Sequence, residues 1–325
     1  MAKIGYRRMS GAIGLSLQEQ GTRGMWWEKR RALLDYLRSR GHEVVLTNRL
    51  SKATLGDERV CREQLWEEPG AGTYDVLLIE FGGSNAQFFG RDLEETYRLI
   101  AAHDGPVIYL CDDPDLWFPW KATPNEEWSR WTVLVNAAAE RAGPRVYPVP
   151  GGARVMDFPV ASLLPMAEAL PARGDHLAYV GRPLGRGDAF RRLIAAGAPF
   201  RVYGRAEEWE EFGLRVQEAP PQPQRGAFYA TQLGCLAIAD KKHKKMLWRT
   251  GRAYHAISAG CPVLAEANHT LLAANFGAYA DPTKVAEWAA RWRDSAARAE
   301  DVRHQQGAIA RERVILEDTV SRCGL

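Results

Sequence analysis

The chain lacks the cysteine framework of a disulfide scaffold, the long apolar run of a membrane span and the ligand spacing of a preformed metal cage. Its five cysteines (Cys61, Cys111, Cys235, Cys261 and Cys323) are scattered and form no C-x-x-C pair. Buried, reduced thiols of a cytosolic protein are therefore expected. No apolar stretch reaches the roughly 18 residues that cross a bilayer, and the first residues run into a strand-like pattern without an apolar leader. A cytoplasmic location follows as an expectation. His42, His103, His176, His269 and His304 show no ligand spacing, so no preformed metal cage is predicted. There is no P-loop, no Gly-x-Gly-x-x-Gly fingerprint and no Gly-x-Ser-x-Gly elbow. Net charge is not extreme either: +3 is too small to argue by itself for a nucleic-acid partner.

What is present fits a globular protein of two domains. The chain has 325 residues, 46% of them hydrophobic and 26% charged, enough for two ordinary cores. Short apolar runs alternate with helical spacing: strands near 3–7, 42–47, 74–81, 106–111 and 145–149, helices near 28–40, 92–103 and 125–141. Residues 148–175 are rich in Pro, Gly and Ala and read as the link between domains. The alternation resumes with strands at 176–180, 199–203, 234–239 and 262–265. Helices follow at 188–196, 247–259 and 282–321, and a proline-rich loop lies at 219–224. This order predicts an α/β protein of two doubly wound, Rossmann-like domains facing across a cleft. The expected division is 1–165, joined by the C-terminal helix 304–325, and 170–303. Eleven tryptophans are mostly explained as core filling; Trp117, beside an acidic pair, also reads as a surface contact.

Two clusters carry most of the chemistry. The first runs from Tyr179 to Arg192 and holds Gly181, Gly185 and Gly187 with Arg182, Arg186 and Arg191. The second comprises the lysines of 241–245 (Lys241 and Lys242 foremost), then Arg249, Arg252 and His255. Each follows an apolar strand and opens a helix, where doubly wound folds present N–H groups and a helix dipole to phosphate. The planar fork of arginine suits bidentate phosphate binding, so the pair points to a diphosphate and to a nucleotide-sugar-dependent transferase. The alternatives are a solvated turn and a solvated basic face. In the first half, Asp113 follows the strand 106–111, where a carboxylate serves as a general base or as a turn or helix cap. Ser84, Asn85, Phe88 and Phe89 form a polar-aromatic loop on the same edge, with Phe88 and Phe89 either stacking on a base or filling the core.

On these residues the sequence resembles the DNA β-glucosyltransferases of T-even phages. The likeness runs in order through the Ser/Asn loop ending Phe88-Phe89-Gly90, then Tyr109-Leu-Cys-Asp-Asp113 and Phe158-Pro159. It continues through Tyr179-Val-Gly181, Tyr203-Gly204, and Asp240-Lys241 leading to Arg252. The resemblance implies a GT-B fold and transfer of glucose from UDP-glucose, with inversion, to 5-hydroxymethylcytosine in duplex DNA, the base flipped from the helix. It implies Asp113 as general base, with Glu28 near a second acidic position. Arg191 and Arg252, with Arg182 or Arg186, fall on diphosphate positions, and Tyr203 and Pro220 on the uracil's. It further implies a monomer acting in the cytoplasm of an infected cell, and allows a divalent cation (Mg or Mn) at the diphosphate. The sequence departs from the family pattern at His255, which replaces a ribose-binding glutamate, in a shorter glycine–arginine loop and in a more basic lysine run. The other readings are another donor sugar, 5-hydroxymethyluracil, a small molecule or a glycan as acceptor, or a non-catalytic nucleotide- or DNA-binding module.

Overall fold

The structure is a computed structural model that describes residues 1–10, 25–46, 73–82, 98–111, 128–147, 149, 151–220 and 224–325. The chain divides into two compact units, Met1–Leu163 with Ile315–Leu325, and Leu164–Val314.

The first unit contains β1 (Lys3–Ser10), α1 (Met25–Ser39), β2 (Glu43–Leu46), β3 (Val76–Gly82), β4 (Val107–Cys111), β5 (Trp131–Val135), α2 (Ala139–Ala142) and β6 (Arg154–Asp157). Its six strands form one parallel sheet in the order β2-β1-β3-β4-β5-β6. All five residues of β4 and of β5 are buried, as befits central strands covered on both faces. Leu33, Leu34 and Leu37 of α1 pack with Ile4, Tyr6, Leu78, Ile108 and Leu134 in the core.

Two expectations fail here. Residues 131–135 are a central strand, not part of a helix over 125–141. Val133 and Val135 are β-branched, and the run is apolar without polar alternation, so its two-sided burial mimics a helix pattern. The strand expected at 145–149 is a turn over 145–147. The last strand is β6, inside the stretch taken for a link.

The second unit contains β7 (Leu177–Val180), α3 (Gly187–Ala195), β8 (Phe200–Tyr203), β9 (Val216–Gln217), α4 (Arg225–Ala230), β10 (Gly234–Ala237), α5 (Lys241–Lys245), α6 (Gly251–Ser258), β11 (Val263–Glu266), α7 (Thr270–Asn275), β12 (Gly277–Tyr279) and α8 (Val285–Arg293). A second parallel sheet runs β12-β11-β10-β7-β8-β9. Counted within the unit, this is the doubly wound dinucleotide-type order, and the strand order reverses between β7 and β10. The core gathers Tyr179, Phe190, Leu193, Val202, Trp209, Leu236, Leu264 and Trp292.

The long helix expected over 282–321 is broken at Asp294, whose extended backbone ends α8 and whose carboxylate accepts the Ala296 and Ala297 N–H groups at the start of α9 (Ser295–Arg322). α9 contributes to both units: Val302, Ala308 and Ile309 are buried in its first part. Leu316, Val320 and the following Leu325 join the first unit's core. The division falls between Val314 and Ile315.

Among the described residues Cys111, Cys235, Cys261 and Cys323 form no disulfide, and burial pushes the Cys261 thiol up to about 12. No described helix is long and apolar enough to cross a membrane.

Candidate functional site

The reversal point of the second sheet is where the sequence places its arginines. β7 ends at Val180, and Gly181 follows with φ +141°, a conformation side chains disfavour. The Gly181 N–H donates to the Tyr203 carbonyl at the end of β8 (2.9 Å). A Cβ on Gly204 would lie 2.8 Å from the Gly181 carbonyl oxygen, and one on Gly181 would lie 2.9 Å from Nη2 of Arg252. Two glycines thus bring the backbone against a guanidinium.

Arg252 stands in the first turn of α6, its guanidinium carbon 4.4 Å from the Tyr179 ring centroid. Its Nη1 is buried and has no hydrogen-bond partner. Burial opposes the charge and the Tyr179 phenol favours it, with the net pKa raised. A cation held inside the fold with an unsatisfied N–H is matched to an anion.

The other arginines divide into two kinds. Arg186 is spent on the loop itself: Nε donates to the Ile238 carbonyl (2.9 Å), Nη1 to that of Leu184 (2.8 Å) and Nη2 to the Asp240 carboxylate (3.3 Å). Gly185, with φ +72°, sits so close that a Cβ would be 2.9 Å from Cβ of Asp240. Asp240 also caps α5, accepting the His243 N–H (2.8 Å) and pairing with His243 Nδ1 (2.5 Å). Burial would raise the Asp240 pKa, but the His243 bonds and Arg186 outweigh it and hold the carboxyl below its ordinary range.

Arg182 and Arg191 are instead exposed, 67% and 58% of each side chain being accessible. Arg182 pairs with Glu208 at 2.7 Å. Arg191 pairs with Asp188 and Glu211, both at 3.3 Å, and lies over the Phe212 ring.

Tyr203 is buried edge-on against Phe228, ring centroids 4.7 Å apart. The Pro220 carbonyl accepts from Nε of buried Arg225 (3.2 Å), and the Gly204 N–H donates to Gln217 (2.9 Å). His255 is buried one turn beyond Arg252. The helix expected to start at 247 begins at Gly251, because Leu247 takes φ +49° after the separate short helix α5. The lysine run is therefore helical: Lys241 and Lys242 are exposed, whereas Lys244 turns back to the buried Glu266 carboxylate (2.7 Å), which Arg192 also reaches (3.4 Å). Asp240, Glu266, Glu208 and Tyr179 shape this site; Tyr179 and Asp240 enter the sequence reading only as ends of motifs without a role, and Glu208 and Glu266 not at all. Only Asp240, a capping residue before a basic run, carried a local signal.

The opposite half of the expected site is not in view. β4 ends at Cys111, and Asp113, Trp117, Ser84, Asn85, Phe88 and Phe89 lie outside the described residues. Glu28 belongs to α1, and its side chain is likewise outside them. Among the described residues no group of three or more His, Cys, Asp or Glu could hold a metal ion.

No family model matches the chain, and no curated protein matches it in sequence. Solved structures do match. T4 phage β-glucosyltransferase covers 99% of this chain and 100% of its own, at a TM-score of 0.64 and 12% identity. The same enzyme with its UDP-glucose substrate gives 0.63 and 13%, and with UDP and Mn2+ 0.63 and 14%. The fold is the GT-B fold. At such identities the likeness concerns the GT-B architecture, and the chemistry has to come from the residues themselves.

Proposed function

We propose that the protein is a nucleotide-sugar glycosyltransferase that moves glucose from UDP-glucose, with inversion, onto the hydroxymethyl group of 5-hydroxymethylcytosine in duplex DNA. The observation that carries the donor half is the unpartnered Nη1 of Arg252 at the reversal point of the sheet, against Gly181. In this reading the diphosphate lies by Gly181 with Arg252 beneath it and Arg182 and Arg191 closing over it. Arg186 shapes the loop from behind. Tyr203, Gly204 and Pro220 take the uracil, and His255 offers a ring nitrogen to a ribose hydroxyl. T4 phage β-glucosyltransferase, solved with UDP-glucose and described as a DNA-modifying enzyme, shares the fold and supports the assignment.

Asp113 is the base that removes the proton from the hydroxymethyl oxygen as that oxygen attacks the anomeric carbon. The bond from that carbon to the β-phosphate oxygen breaks, and UDP leaves with its new charge spread over the guanidiniums. Glu28 is assigned near the same centre. Lys241 and Lys242, exposed on α5, grip phosphate backbone, and Ser84, Asn85, Phe88, Phe89 and Trp117 contact the DNA around the flipped base. Mn2+ accompanies UDP in one T4 phage enzyme structure, and a cation here would only add charge at the diphosphate.

The test is transfer of labelled glucose to duplexes carrying 5-hydroxymethylcytosine, 5-hydroxymethyluracil or cytosine, with and without EDTA. Transfer to the first alone, abolished in Asp113→Asn, is the expected result. Full activity of that variant would refute the assigned base. Transfer only to small acceptors or glycans, or UDP binding without transfer, would replace DNA glucosylation with the corresponding reading.

A further inference from the structure

Two of the three arginines assigned to the diphosphate are already engaged by one segment, and Arg191 also by Asp188 of its own helix (3.3 Å). Arg182 meets Glu208 at 2.7 Å and Arg191 meets Glu211 at 3.3 Å. Both carboxylates lie in the short stretch 206–212, which carries Glu207, Glu208, Glu210 and Glu211 around Trp209. That stretch is fastened in place. Trp209 is fully buried, packs edge-on against Tyr179 and Phe190, and donates its indole N–H to the Gly181 carbonyl (3.2 Å). The Glu208 side chain is 16% accessible, whereas its arginine partner is 67% accessible. The carboxylate is therefore the fixed member of the pair and the guanidinium the movable one.

We infer that the acidic segment is a built-in competitor for the donor's diphosphate: Glu208 and Glu211 hold Arg182 and Arg191 until phosphate oxygens displace them, and reclaim them when the nucleotide product departs. This rests on the donor-site reading above and extends it to how tightly that site binds. Among the described residues no carboxylate pairs with Arg252, which stands ready for the anion, while the two exposed arginines must exchange one anion for another. An interaction given up on binding lowers ground-state affinity and eases release, which limits turnover in many transferases. The Arg186–Asp240 pair is not part of the exchange, because Arg186 is also tied to two carbonyls.

The experiment titrates UDP and inorganic pyrophosphate into the wild type, Glu208→Gln, Glu211→Gln, the double variant and Glu207→Gln, an exposed neighbour serving as control, with thermal melting to check the fold. Glu208→Gln is expected to bind both ligands about threefold to tenfold more tightly, and Glu211→Gln less than about twofold, since both members of its pair are mostly exposed. Glu207→Gln should match the wild type. With acceptor saturating and donor varied, kcat and the donor KM of Glu208→Gln should fall together. Unchanged or weaker binding by folded Glu208→Gln overturns the inference. Wild-type binding of pyrophosphate but not UDP would defeat the nucleotide reading and leave the competitor in place. Binding of neither would remove both.

Discussion

The guanidinium of Arg252 lies 4.4 Å from the centre of the Tyr179 ring, with Nη1 buried and unbonded. Tyr179 in turn sends its hydroxyl to the Arg182 carbonyl (2.9 Å). One aromatic ring thus holds the buried arginine and shapes the start of the loop above it. The polar atom left over is the one a ligand must satisfy.

Replacing Arg252 by methionine keeps most of the volume and removes the charge. UDP affinity should fall about 10-fold to 100-fold, the worth of one or two charge-assisted bonds. The fold should survive, because the lost contact with Tyr179 is offset by removing an unsatisfied buried donor. Arg252→Lys should not restore binding, since an ammonium cannot reproduce the fork. Calorimetric titration alongside thermal melting checks both halves of the statement.

Gly204 tests the close approach of β7 and β8. A methyl group there would sit 2.8 Å from the Gly181 carbonyl oxygen and 3.3 Å from Nε1 of Trp209. Gly204→Ala should cost about 1–3 kcal/mol in urea unfolding and weaken UDP binding, because the displaced atom belongs to Gly181. Gly226, inside α4 with open space around its Cβ position, is the matched control. Gly226→Ala should be neutral or stabilising by about 0.5–1 kcal/mol.

His269 predicts how the second unit responds to acid. It is fully buried, its Nδ1 accepting the Leu272 N–H at the start of α7 (3.3 Å), and burial foremost pushes its pKa from 6.5 down to about 4. Between those two values the unfolded chain binds a proton that the folded chain refuses. The contribution is therefore complete above about pH 6.5 and is lost as pH falls toward 4, amounting to about 3 kcal/mol at one proton. His269→Asn keeps an acceptor for α7 and should flatten the pH dependence of urea unfolding over that window. An undiminished slope in the variant would assign the effect to other groups.

The parts of the second unit readable from sequence were those with a local signature. β7, β10 and β11 are short apolar runs, and glycines stand where the chain turns at Gly181 and Gly260, so the strand–loop–helix junctions and the arginine positions could be read directly. The carboxylates that organise those arginines could not. Arg186 and Asp240 are 54 positions apart and Arg192 and Glu266 are 74 apart, and nothing local to either member announces the pairing. In the first unit β5 reads as helix from sequence because a strand buried on both faces shows no alternation, and Trp128, Trp131 and Leu134 fall at helical spacing. β9 and β12, of two and three residues, are too short for any period to show.

Glu312 ties α9 to the helix that bears Arg252. One of its oxygens accepts from Nε of Arg249 (2.6 Å) and the hydroxyl of Tyr254 (2.7 Å), the other from Nδ2 of Asn275 (3.0 Å). Glu312 is 4% exposed and Arg249 1%, so removing the carboxylate takes a charged partner away from a buried cation. Glu312→Ala should cost about 3–5 kcal/mol, and Glu312→Gln less, because an amide oxygen still accepts from Tyr254. Pairing Glu312→Leu with Arg249→Met should recover much of the loss by removing both charges together. Because Arg249 and Tyr254 flank Arg252 along the chain, Glu312→Gln should also weaken UDP binding severalfold while the protein remains folded. Wild-type affinity in that variant would confine the network to stability.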